Sequence, residues 1–110
     1  MKNRCENNNV RVETQQTMSD WAEATFGPVQ DPKALWNRAL LEMQELGEAV
    51  DQQDLSEIGK EAADVMILLY RLASQFDLDL DAELDAKMAI NRSRTSVSYT
   101  HLTLPTKRIV

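Results

Sequence analysis

Apolar residues recur at steps of three and four through the middle of the chain. Leu35, Trp36, Ala39, Leu40, Met43, Leu46 and Val50 mark one stripe, and Leu55, Ile58, Ala62, Val65, Met66, Leu69, Leu72 and Phe76 mark a second. Side chains three and four apart share one face of a helix, so this spacing predicts two long amphipathic helices. A shorter helix is predicted over 19–26, anchored by Trp21, Ala24 and Phe26, and a last one uses Leu80, Leu84 and Met88 on its way toward Arg94. The boundaries carry their own chemistry. Gly27, Pro28 and Pro32 break the chain, and Asp31 before Pro32 is a cap followed by a first-turn proline. After the turn "DQQD", Asp54 with Glu57 three residues on makes a capping-box-like start, and "DLD" interrupts the pattern at 77–79. The expected fold is all-α, a bundle of about four helices.

Both ends depart from this pattern. Residues 1–17, "MKNRCENNNVRVETQQT", are polar and without sustained periodicity, and a mobile tail is expected there. Residues 97–110, "VSYTHLTLPTKRIV", change to Thr, Leu and β-branched residues. Their first ten can be encoded as gtc tct tat aca cat ctg acg ctg ccg acg, which reads as a transposase-library sequencing adaptor in frame. β-Propensity alone would allow a strand in the same place, but ten successive matches are more specific than propensity. The expected domain is therefore 18–96, with 97–110 set aside as a sequencing artefact. His101, inside that tail, is discounted as a ligand or base.

The 110 residues carry a net charge of −6, which argues against a phosphate-tracking nucleic-acid binder. A lone Cys5 excludes a disulfide framework, and no apolar run reaches the ~18 residues of a membrane span. A cytoplasmic protein is the expectation. With 43% hydrophobic residues on so few helices, self-association into a dimer or tetramer is also expected.

"EMQELGE" places acids at Glu42, Glu45 and Glu48, beside the first long stripe and with no base among them. At about 100° per residue, Glu42 and Glu45 fall to one side of that stripe, and Glu61 and Asp64 fall to the same side of the next. Antiparallel packing of the two helices brings these acidic edges to one rim of their interface. Carboxylates so crowded repel unless cations hold them, and oxygen-only ligands suit a hard ion such as Mg²⁺, with Mn²⁺ as a substitute. The alternative is a non-catalytic helical interaction module whose acids form a solvated face.

"EMQELGEAV", "EAADVMILLYRLA" and "KMAINRSR", in that order, resemble the all-α nucleoside triphosphate pyrophosphohydrolases of the MazG-like superfamily, whose pattern is E-x-x-E, then E-x-x-D, then K-x-x-x-N-R. "WAEATFGPVQDP" and "NRSRT" further resemble a phage-associated branch acting on purine deoxynucleoside triphosphates. The resemblance implies Mg²⁺-dependent hydrolysis of a (deoxy)nucleoside triphosphate to the monophosphate and pyrophosphate, by a homodimer or homotetramer. It implies metal ligation by Glu61 and Asp64 with either Glu42 and Glu45 or Glu45 and Glu48. Helical phase favours the first pair and the text "ELGE" the second. Glu45 is the expected general base. Lys87, Asn91 and Arg94, at i, i+4 and i+7, form a stripe suited to phosphate oxygens. Trp21 and Phe26 are the candidate nucleobase wall, and Trp36 is expected in the core.

Overall fold

A computed structural model describes residues 11–98. Four helices account for most of them: α1 (Gln15–Phe26), α2 (Pro32–Gln52), α3 (Leu55–Gln75) and α4 (Leu80–Ser98). No strand occurs among the described residues, so the all-α expectation holds. Two compact units divide the chain, one up to Leu78 with α1, α2 and α3, the other from Asp79 onward with α4.

The caps form where their chemistry predicts. Asp31 Oδ1 accepts from the Lys33 N–H at 3.0 Å, ahead of Pro32 in the first turn of α2. Asp54 Oδ1 accepts from the Glu57 N–H at 3.2 Å and starts α3. Between them Gln53 turns the chain in the left-handed region at φ 56°, its N–H satisfying carbonyls at the end of α2. The short reversal forces α2 and α3 antiparallel, and they form the main interface of their unit.

α1 is longer than predicted. It begins at Gln15, inside the stretch expected to be a tail, because Thr14 and Thr17 close a reciprocal capping box. Its first turn is tied to the end of α3. Gln15 Nε2 donates to Ser74 Oγ at 2.9 Å and to the Leu78 carbonyl at 2.8 Å, and the Ser19 and Ser74 hydroxyls lie 2.9 Å apart. Residues 15–17 therefore belong with the helices. The rest of the expected N-terminal tail up to residue 10, and the suspected artefact from 99 onward, lie outside the described residues.

The core is thin. Leu35, Ala39 and Leu68 form its buried centre, with Val29 and Leu72 packed against it. Ala22, not Trp21 or Phe26, is the buried anchor of α1; those two rings are exposed and meet edge to face at 5.5 Å. Trp36, expected in the core, is 46% exposed, and Leu40, Met43 and Val50 are similarly open. The stripe read from α2 is wider than α3 alone can cover, so its far half stays on the surface. None of the helices of the described residues is long and apolar enough to cross a membrane.

Candidate metal centre

α2 presents Glu42 and Glu45 one turn apart, and α3 presents Glu61 opposite them. One carboxylate oxygen from each lies within 4.8 Å of the others. Glu42 is the buried member, at 8% exposure, and its place on the buried face follows from its spacing to Leu35, Ala39 and Ala49. One turn earlier on α2, Arg38 donates to Glu42 Oε2 from Nε at 3.3 Å and from Nη2 at 3.2 Å. The same carboxyl group lies beside Glu61.

Glu61 is the electrostatically loaded group. Burial raises its pKa to about 7, a hydrogen bond with Glu42 supports the protonated form, and the charges of Glu45, Glu42 and Asp64 add to the effect. Its Oε1 is buried without a hydrogen-bond partner. An orphaned buried carboxylate oxygen beside two further acids fits a divalent cation: the ion supplies the missing partner and removes the repulsion that favours protonation. All three donors are hard oxygens, the set that Mg²⁺ and Mn²⁺ prefer over softer ions.

The remaining acids lie around this cluster. Glu48 is exposed and lines an open cleft with Glu45, Ala49, Gln52, Glu57 and Glu61, but it is not one of the three converging carboxylates. Asp64 is exposed, one turn along α3 from Glu61, close enough for its charge to act on Glu61. Lys87, Asn91 and Arg94 lie on α4 in the second unit, with Lys87 and Arg94 exposed; Asn91 Nδ2 approaches Met88 Sδ at 4.0 Å.

Two arginines, Arg38 and Arg71, are absent from the site predicted from the sequence. Arg38 is the partner of Glu42. Arg71, half-buried on α3, lies over the Phe26 ring at 5.7 Å from its centroid and faces the charge of Arg38. The spacing Arg38 to Glu42, i to i+4, could have indicated the first pairing. Nothing local could have indicated the second, because Phe26 and Arg71 meet only through the packing of α1 on α3.

Comparison with known proteins gives one family. The model of the MazG nucleotide pyrophosphohydrolase domain matches residues 30–94, more than half of the chain and all three acids of the cluster. No curated protein and no solved structure matches.

Proposed function

Because the chain belongs to the MazG nucleotide pyrophosphohydrolase domain family, we propose that it hydrolyses a (deoxy)nucleoside triphosphate to the monophosphate and pyrophosphate, with a divalent cation at the α2–α3 carboxylates. The observation that carries this reading is the convergence of Glu42, Glu45 and Glu61. Glu42, Glu45 and Glu61 would hold Mg²⁺ or Mn²⁺, with Asp64, one turn beyond Glu61, as a further ligand. The helical phase that turns Glu42 toward Glu61 supports Glu42 with Glu45 as the first ligand pair, with Glu48 outside it. Bound there, the ion neutralises phosphate charge and lowers the pKa of water.

Glu45, exposed at the mouth of the cluster, accepts the proton of the attacking water. The oxygen of that water bonds to the α-phosphorus, the α–β bridging bond breaks, and pyrophosphate leaves with its electron pair. Lys87, Asn91 and Arg94 hold phosphate oxygens through charge-assisted bonds. Trp21 and Phe26, exposed and in contact with each other, form a wall for the base. A purine deoxynucleotide is the expected substrate class, acted on in the cytoplasm by a dimer or a dimer of dimers.

Pyrophosphate release from the four deoxynucleoside triphosphates and from ATP and GTP, with Mg²⁺ and with a chelator, tests the reading. Release that stops with the chelator is expected. Absence of release under all conditions would leave the helical interaction module as the better account.

A further inference from the structure

The chain carries 18 acids against 12 bases, so an arginine has carboxylates to choose from. Arg71 has none. It is half-buried on α3, lies over the Phe26 ring at 5.7 Å from the centroid, and feels the like charge of Arg38. Burial and the like charge both disfavour its charged form, lowering its pKa from the ordinary arginine value. Stacking on the ring leaves the in-plane N–H edges of a guanidinium available. Arg38 is similarly unspent. Nε and Nη2 both reach Glu42 Oε2, which leaves donors among the five N–H groups of the fork. An i,i+4 surface pair explains Arg38 by itself. It does not explain why a second arginine is half-buried within range of the first one's charge.

An anion relieves two guanidiniums whose charges act on each other, and the position of Arg38 selects one. Arg38 touches Glu42, and Glu42 is a member of the carboxylate cluster. A phosphate chain held beside that cluster would meet Arg38 first, with Arg71 within range of the Arg38 charge. We propose that Arg38 and Arg71, the latter held by Phe26, form an anion subsite that binds part of the substrate's polyphosphate chain. The subsite rests on the nucleotide hydrolase reading for its substrate class, and it is built from α1, α2 and α3 alone. It also gives Phe26 a role besides the base wall: orienting Arg71.

Tripolyphosphate, a phosphate chain without base or sugar, is the probe, used with the full chain and saturating Mg²⁺. Arg71→Gln is expected to weaken tripolyphosphate binding at least about tenfold, the loss typical of a charge-assisted hydrogen bond. Arg71→Lys is expected to recover part of it, with Mn²⁺ affinity in the absence of phosphate unchanged. Equal tripolyphosphate affinity in wild type and Arg71→Gln overturns the subsite. Should that variant not fold, the wild-type Nε–H resonances of Arg38 and Arg71 decide: they shift on adding tripolyphosphate, and unmoved resonances overturn the proposal. A wild-type chain that binds tripolyphosphate through these arginines but releases no pyrophosphate from nucleotides keeps the subsite and removes the hydrolase reading. Turnover that Arg71→Gln leaves at the wild-type KM and kcat keeps the hydrolase and removes the subsite.

Discussion

Arg38 and Glu42 face each other across one turn of α2, with both Nε and Nη2 of the arginine directed at the same carboxylate oxygen, Oε2. The pair is lopsided: the Arg38 side chain is 62% exposed and that of Glu42 only 10%. Solvent screens the arginine, while the glutamate depends on it for a counter-charge. Removal of Arg38 should cost more than the ~0.5 kcal/mol of an exposed helical pair but less than the ~3 kcal/mol of breaking a fully buried one. Arg38→Gln is therefore expected to lower apo stability by roughly 1 kcal/mol. Saturating Mg²⁺ should narrow the deficit, because the ion becomes the counter-charge. Denaturant melts of both proteins, with Mg²⁺ and with chelator, check this; a deficit unchanged by Mg²⁺ counts against Glu42 as a ligand.

Glu61→Gln keeps the shape of the side chain and removes its charge. Turnover is expected to fall on the order of 100-fold or more, since even groups that only orient a metal ligand are worth ~10- to 100-fold. The apo protein should melt no lower than wild type, because one of three mutually repelling carboxylates has gone. Retained Mg²⁺-dependent turnover would remove Glu61 from the ligand set.

The raised pKa of Glu61 sets a pH signature with a definite sign. The folded value of about 7 lies above the ordinary glutamate value of 4.5. The folded state therefore binds this proton more tightly than the unfolded chain. The resulting stabilisation is fully present below the lower value and is lost as pH rises through about 7. A bound cation reverses the preference, since the carboxyl must deprotonate to ligate. Tm in chelator should fall between pH 5 and about 8 as this group ionises, whereas Mn²⁺ affinity should rise across the same window with proton release. A flat Tm profile that Glu61→Gln leaves unaltered would show that Glu61 does not govern it.

These site features were partly legible in the sequence. Helical phase put Glu42 and Glu45 on the α3 side of α2, and both lie beside Glu61. Asp31, Pro32 and Asp54 declared two helix starts because capping is a local interaction. The start of α1 was hidden for two reasons. Thr17 stands where a Glu or Gln would have marked a capping box, and Gln15 is fixed by Ser74, 59 residues away. Arg71 was illegible for the same reason, its position being set by Phe26 on another helix. Trp36 was misread because periodicity identifies an apolar face without saying whether this chain alone covers it.

Gln53 ends α2 at φ 56°, where a Cβ is strained and glycine is the favoured residue. Gln53→Gly is expected to raise stability by about 0.5–1 kcal/mol, the relief of left-handed strain exceeding the added chain entropy of the unfolded state. Turnover should not change, as the turn contributes no side chain to the carboxylate cluster. Thermal melts of the two proteins check it, and a lower Tm for the glycine variant would show that the Gln53 side chain makes contacts worth more than the strain.

Trp36, Leu40, Met43 and Val50 repeat along α2 at steps of four, three and seven, each left about half-exposed. On α3, Met66 and Leu69 are open as well. Spacing of this kind on a helix is the seam through which helices pair, and the thin core of the α1–α3 unit makes such an apolar face costly to leave in water. A second copy of the chain offers the same seam, and closed symmetry lets one patch cover its own image. Leu40→Glu is expected to convert the protein from a dimer or tetramer to a monomer in light scattering, because a charge at the centre of a self-facing patch meets its own like charge across the axis. Each buried leucine removed also forfeits about 2 kcal/mol of apolar burial per subunit. Leu41, exposed on the same helix but one residue out of phase with this seam, supplies the control: Leu41→Glu should leave assembly intact. A wild-type chain that scatters as a monomer at the concentrations where it turns over nucleotide would show that this seam has another use.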